Sequence, residues 1–318
     1  MTAEAIQCVR PRTPRHGVAP IHPALASIVA CPECLGGLEL SINEIRCRLC
    51  HKSWPRDPRG VPLFDRDRLT RQVQAGQEYQ LGGGGAQGLV RRVATPPTFG
   101  LDLVTPRCLE RLGRALGGSG SLRPVLNVGS GARLNESMRR LGSDVLSRTI
   151  HVDVSPRFDL VDLVADADRS WPIRSGSVDA VIASAMLHHL REPHTFSEQV
   201  HRVLAPGGWL FVTAPMLQPQ MEDFDCTRWT LEGLRRLFAG LEVVELGPTA
   251  GPATVFGRVL MEFLAVVTSL PDHRLWGPAR SLWGWLFWPI KHLDLLLLRH
   301  PRSHVLASAV YMLARKPT

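Results

Sequence analysis

From about residue 106 to the end of the chain, short apolar runs alternate with amphipathic stretches. The runs predict strands at 125–128, 149–153, 159–165, 178–184, 208–215, 241–246 and 308–314. Helical spacing between them predicts helices at 135–141, 193–204 and 231–239. Thr230 stands where it can cap the last of these, with Glu232 in the first turn near the positive helix end. Strand–helix alternation of this kind predicts a parallel sheet covered on both faces, an α/β fold. Upstream the pattern differs: 25–68 is turn-rich with little helical periodicity, and 1–24, rich in Pro and Arg, reads as a disordered tail. Between these and the α/β region, 69–105 holds four consecutive glycines at 82–85 and Pro96-Pro97. Such a run is too costly in entropy for a packed element, so a linker or lid is expected there.

A chain of 318 residues with 44% hydrophobic and 21% charged residues has room for one large domain (106–318) and a small appendage, and is not disordered, collagen-like or coiled-coil. The net charge of +8 is carried by arginine, since only Lys52, Lys291 and Lys316 are lysine. Beside 25 prolines and 28 glycines, that bias fits a GC-rich coding sequence as well as a nucleic-acid footprint, and it weighs little for nucleic acid. The first 20 residues lack a signal-peptide apolar segment. The longest apolar runs, 259–270 and 282–298, are interrupted by Glu262 and by Pro289, Lys291, His292 and Asp294, so no membrane-crossing helix is expected. The expectation is a cytoplasmic protein, soluble or peripheral at a membrane surface.

Four of the seven cysteines form two Cys-x2-Cys pairs, Cys31/Cys34 and Cys47/Cys50, twelve residues apart. Two such turns close a four-sulfur shell around Zn²⁺, and a saturated shell has no open position, so the metal is expected to be structural. With Trp54-Pro55 and Gly60-Val61-Pro62-Leu63 downstream, this stretch resembles a short zinc-ribbon family whose members accompany or activate methyltransferases.

At the first strand-to-helix transition stands Val125-Leu-Asn127-Val-Gly129-Ser130-Gly131, where glycines let the backbone approach a ligand. Asp153 closes the second strand, where a carboxylate can accept ribose hydroxyls. Asp166-Ala167, Ser177-Val-Asp179, Leu187-His188-His189-Leu190 and Arg202-Val-Leu-Ala-Pro-Gly-Gly208 follow in order. This series resembles the class I S-adenosylmethionine-dependent methyltransferases, in particular their broad small-molecule subgroup, over about residues 120–247. The resemblance implies a Rossmann-like seven-stranded sheet. It places the cofactor against Asn127, Gly129, Ser130, Gly131, Asp153, Val154, Asp166, Ala167, Ser184 and Leu187. Two positions depart from the family pattern: Asn127 replaces an acidic residue that supports the amino group, and Arg133 replaces a third glycine.

S-adenosylmethionine is already an activated electrophile, so the protein has to align the acceptor and remove its proton. His188 and His189 are the candidate bases; the alternative is that one packs at a helix start and the other faces solvent. Met216, Arg228 and Trp229 lie in a run that resembles the substrate loop of glycan and secondary-metabolite methyltransferases, although a salt-bridged helix entry explains Arg228 and Trp229 equally well. The span 258–304, with Trp276, Trp283, Trp285 and Trp288, reads either as an interfacial helix or lid over a greasy acceptor, or as a packing or dimer face. The expected function is O-methylation of a small-molecule or glycan acceptor, lipid-linked in one version. An RNA base methyltransferase and a noncatalytic scaffold are the alternatives, and oligomeric state is open.

Overall fold

The computed structural model describes residues 21–41, 44–57, 59–64, 96, 99–131, 134–156, 158–220 and 223–318. The expected tail up to residue 20, the last residues of the expected ribbon (65–68), most of the expected linker (69–95, 97–98) and Arg133 lie outside the described residues.

The N-terminal part is a short helix α1 (Pro23–Ile28) and a three-stranded antiparallel sheet, β1 (Leu38–Leu40), β2 (Glu44–Cys47) and β3 (Ser53–Pro55). The expected boundary after residue 24 falls inside α1, which is anchored by fully buried Leu25.

The main sheet has seven strands: β4 (Val125–Val128), β5 (Thr149–Asp153), β6 (Leu163–Val164), β7 (Val178–Ser184), β8 (Leu204–Pro215), β9 (Glu242–Ala250) and β10 (Ala309–Arg315). Their spatial order is β6-β5-β4-β7-β8-β10-β9. The expectation of an all-parallel sheet needs correction. The first five strands are parallel, but β10 inserts antiparallel between β8 and β9. The arrangement is nevertheless the expected Rossmann-like seven-stranded α/β fold.

Alternation along the central strands separates two cores, because successive side chains leave opposite faces of a sheet. Leu126, Val128, Val181, Ala183, Leu210, Val212, Val310 and Met312 pack with α4 (Pro193–Val203) and α5 (Leu231–Leu237). Val125, Ala180, Ile182, Phe211, Tyr311 and Leu313 face the other side and meet α2 (Val104–Gly117). That helix was not among the expected ones, although its buried Cys108, Leu109, Leu112 and Leu116 fall on one helical stripe. Asp102 Oδ1 accepts from Val104 N at 3.0 Å and Thr105 N at 2.9 Å at its start. The helix expected at 135–141 is a 3₁₀ helix, Glu136–Leu141, followed by α3 (Ser143–Ser147). Gly113 of α2 lies against it so closely that a Cβ would stand 2.4 Å from the Leu141 carbonyl oxygen and 2.7 Å from its Cα. Backbone cannot yield as a side-chain tip does, so Gly113→Ala is expected to cost at least about 2 kcal/mol, read as a lowered urea midpoint.

The N-terminal unit covers the exposed edge at β6. Ala30 N donates to Pro172 O (2.9 Å), Arg174 N to Ile28 O (2.8 Å) and Val164 N to Pro62 O (3.1 Å). The last of these bonds satisfies a β6 backbone group that an open edge strand would leave unpaired, and the other two join the end of α1 to residues 172–174. Beyond β9, residues 251–304 form a helical layer: α6 (Pro252–Thr268), α7 (Trp276–Phe287) and α8 (Asp294–Leu297), with 3₁₀ turns between. The layer thus begins at Pro252, before the expected 258. Fully buried Asp294 ties it together, accepting from Gly251 N, Ala253 N, Thr254 N and Thr254 Oγ1 at 2.7–3.1 Å. No described helix is long and apolar enough to cross a membrane.

Candidate active site

The strand order reverses between β4 and β7, and open α/β sheets bind ligands outside the carboxyl ends of the strands at such a point. Here the chain leaves β4 through Gly129 (φ +70°) and Gly131 (φ +68°), both in the left-handed region that suits glycine. The two serve different ends. A Cβ on Gly129 would stand 2.7 Å from Met186 Cβ, so this glycine lets the β4 loop press on the β7 loop. A Cβ on Gly131 would meet nothing within 4 Å among the described residues, which leaves its backbone open to a ligand there.

Asp153, at the end of β5, fixes this loop. Its Oδ2 accepts from Gly131 N (2.9 Å) and its Oδ1 from Ser155 N (3.0 Å). Burial pushes its carboxyl above the ordinary Asp range, and the N–H groups of Ser155, Gly131 and Val154 oppose that shift. A carboxylate has about four lone-pair sites, so Asp153 keeps acceptor capacity for a ribose hydroxyl. Ser130 Oγ is buried with no hydrogen-bond partner among the described residues, and a buried hydroxyl of this kind is a place for a ligand atom. Asp166 is buried after β6, bonded to Asp168 N (3.0 Å) and near Arg169, with half-buried Ala167 next to it. An open glycine backbone, an orphaned hydroxyl and a desolvated carboxylate fit an adenosine-bearing cofactor.

Other expected cofactor residues sit less directly. Asn127 is 6% exposed, and its Nδ2 lies 3.1 Å from His151 Nδ1 on the neighbouring strand. Its amide is therefore a cross-strand link within the sheet, and it brings no charge to the site. Leu187 is fully buried in the core, so its side chain packs beneath the site and forms no wall. Val154 is half-buried against Val61, Phe158, Val161 and Val164. Ser184 is half-buried at the end of β7.

His188 and His189 come together with Asp225. His188 Nε2 lies 3.6 Å and His189 Nδ1 3.3 Å from Asp225 Oδ1, while Arg228 Nη2 donates to Oδ2 at 2.8 Å. The imidazole rings are 3.8 Å apart between centroids, and His189 also meets Phe224 at 4.6 Å. Cys226 N and Thr227 N both donate to His188 O, which fastens the 224–229 loop to the histidine turn. Burial, helped by His189 and opposed by Asp225, brings His188 down to about 4. Burial lowers His189 as well, again against Asp225. Both imidazoles are thus neutral at pH 7 and able to take a proton. The group lines a cavity of about 240 Å³ with Ala185, Thr213, Ala214, Pro215, Gln218 and Arg228 among its walls.

Sequence reasoning did not single out Asp225, Ala185, Thr213 or Gln218 as site residues. Asp225 had a signal, since it lies three residues before Arg228 in a motif already noted. Ala185 fell inside the 184–187 segment that the resemblance places at the cofactor, with nothing to mark it singly: it is a non-glycine residue at φ +52°, held by bonds from its N–H to Thr213 O and Oγ1, both at 3.0 Å. Of the expected substrate residues, Arg228 reaches the cavity but is bound to Asp225 and to the carbonyls of Thr227 and Pro219. Trp229 packs on the core, and Met216 lines a second, neighbouring groove.

The four N-terminal sulfurs converge. Cys31 and Cys50 Sγ are 3.6 Å apart and Cys34 and Cys47 Sγ 3.5 Å, with all four within 4.8 Å of one another. A disulfide needs about 2.05 Å, whereas the edge of a tetrahedral zinc–sulfur site is about 3.8 Å. Leu49 N (3.3 Å) and Cys50 N (3.4 Å) point at Cys47 Sγ, as donors that stabilise a thiolate do. This cluster fits a divalent metal.

Residues 126–212 match a protein-family model described as a methyltransferase domain. Ubiquinone biosynthesis O-methyltransferase of Xanthomonas oryzae pv. oryzae is 32% identical over 103 residues, covering 28% of this chain and 41% of that protein. The chain therefore spans well under half the length of the curated relatives it matches. Among solved structures, geranyl diphosphate C-methyltransferase from Streptomyces coelicolor is 15% identical, with a TM-score of 0.41 and coverage of 66% of this chain and 77% of that one. The [4+2]-cyclase SpnF is 20% identical, with a TM-score of 0.38 and coverage of 66% and 81%.

Proposed function

We propose that this chain is an S-adenosylmethionine-dependent methyltransferase that methylates an oxygen of a small molecule or glycan. The observation that carries the reading is the half-buried Asp153 carboxylate, tied to the Gly131 backbone at the point where strand order reverses. Gly129, Ser130, Gly131 and Asp153 would hold the methionine and ribose portions, with Asp166 and Ala167 beside the base. When bound, the cofactor supplies a methyl group on a positively charged sulfur, already activated for displacement.

The remaining work belongs to this chain. His189, the more exposed of the two histidines, accepts the acceptor hydroxyl proton as oxygen attacks. Asp225 orients the ring and stabilises the imidazolium that forms, and Arg228 holds the carboxylate in place from its other oxygen. His188 is a positioning residue: nearly buried, with its carbonyl anchoring the substrate loop. Zinc on Cys31, Cys34, Cys47 and Cys50 would be structural, because four sulfurs leave no open position.

Native mass spectrometry with and without S-adenosylhomocysteine tests the reading, with one zinc and one cofactor product per chain expected. Zinc without cofactor binding at high ligand concentration would overturn it in favour of a noncatalytic scaffold. His189→Gln is expected to slow methyl transfer about 10²- to 10⁴-fold with S-adenosylhomocysteine affinity unchanged. The pH profile carries a sign. A base whose pKa is lowered stays unprotonated further into acid, so the rate should hold below pH 6.5 and fall only as pH drops through the depressed value. A profile that already falls above pH 6.5 would contradict this assignment.

A further inference from the structure

The layer formed by 251–304 turns apolar side chains outward. On α6, Gly257, Met261 and Ala265 are buried, while Val259, Phe263 and Val266 are 52%, 62% and 53% exposed. A helix whose outer face met only water would carry polar residues at those positions. Facing this stripe is the segment that leaves β8, and between the two runs an apolar groove of about 580 Å³, lined by Met216, Leu217, Pro219, Val255, Val259 and Phe263 among others.

The groove and the His189 cavity have one wall in common, Gln218. That side chain is fixed from both ends: its Oε1 accepts from Arg258 Nη1 at 2.8 Å, and its Nε2 donates to Ser308 O at 3.0 Å. The carboxylate of Glu262, also in the groove, is matched by Arg280 Nε at 2.6 Å. The two polar side chains of the groove, Gln218 and Glu262, are therefore already paired. A peptide laid there would bring backbone groups with nothing to bond to, whereas a hydrocarbon chain needs no such partners.

We propose that the acceptor is an amphiphile whose polar head occupies the His189 cavity and whose long apolar chain lies in the groove between Met216–Pro219 and α6. This inference rests on the methyltransferase reading of the site. It deepens that reading by giving the substrate class, a hydroxylated head on a hydrocarbon tail, and it explains why the outer face of α6 is apolar.

The test uses the full chain saturated with S-adenosylhomocysteine and the fluorescent probe 11-(dansylamino)undecanoic acid, displaced by 1-alkanols of six, eight and ten carbons. Displacement is expected to tighten about threefold or more per added methylene, the factor for burying one CH₂. Val259→Asp and Phe263→Asp should each weaken probe binding at least tenfold. Both positions are already more than half exposed, so neither change opens a core cavity. Leu296→Asp, at a site 66% exposed and outside the groove lining, should leave binding within twofold. Absence of probe binding, a flat chain-length series, or equal losses in all three variants would overturn the proposal. In each of these cases S-adenosylhomocysteine binding persists, and the methyltransferase reading survives. Loss of S-adenosylhomocysteine binding by the unmutated chain would overturn both.

Discussion

Asp153→Ala is expected to weaken S-adenosylhomocysteine binding by about two orders of magnitude, read by calorimetry, with little loss of thermal stability. The affinity term follows from charge-assisted hydrogen bonds worth about 1.5–3 kcal/mol each, together with the disorder of a loop whose Gly131 and Ser155 N–H groups lose their acceptor. Stability should change little because removing the carboxylate relieves the desolvation that raises its pKa, which offsets the loss of the Gly131 and Ser155 N–H bonds. Asp153→Asn, which keeps an acceptor without the charge, should fall between. The pH dependence follows from the raised pKa. The group is protonated at higher pH than an exposed Asp, so affinity should begin to fall above the ordinary Asp range as pH drops. The same shift means the folded state binds this proton more tightly than the unfolded chain, and acidification through that window does not destabilise the fold through Asp153. Unchanged affinity in the alanine variant would remove Asp153 from the site.

The second large effect is expected from the four-cysteine cluster. Stripping the proposed zinc with a chelator, or replacing Cys47 with serine, should lower the melting temperature by more than about 10 °C, since zinc contributes about 10–16 kcal/mol to the folding of small zinc-finger peptides. The three-stranded unit has little core of its own: Ile45 and Cys47 are its buried strand residues. Cofactor affinity should fall in the same samples. Val61 and Leu63 pack with Val154, Phe158, Val161 and Val164, and Arg59 donates to the carbonyls of Pro156 and Phe158, so the N-terminal unit braces the chain directly after Asp153. A metal-free protein that keeps both its melting temperature and its S-adenosylhomocysteine affinity would refute the structural role and the bracing together.

Much of the site is local and therefore legible in the chain. The cysteine pairs, the Gly129–Gly131 turn and Asp153 each sit at a strand end or tight turn whose geometry is set by nearby residues. The histidines were legible only as candidates. What joins them is Asp225, 36 residues beyond His189, whose side chain is 2% exposed where the 224–229 loop folds back. Two residues of the family pattern are structural: Asp179 binds Arg148 Nη1 at 3.0 Å under the sheet, and Arg202 joins Gln199 to the Trp171 and Ile173 carbonyls. Motif order alone does not separate such supports from ligand contacts.

By itself, the sequence determined the fold class, the four-cysteine cluster and the place of the glycine–aspartate loop, because periodicity, thiol spacing and turn chemistry act over a few residues. Only the tertiary structure decided the rest. It reversed β10, since a final strand reached from a long helical layer enters between β8 and β9 from the opposite end. It buried Leu187 in the core and set Asn127 beside His151 on the neighbouring strand, because the packing partners of a side chain come from distant segments. It also set Met216–Pro219 opposite α6, a juxtaposition of segments more than 30 residues apart that exists only when the layer folds back onto the sheet.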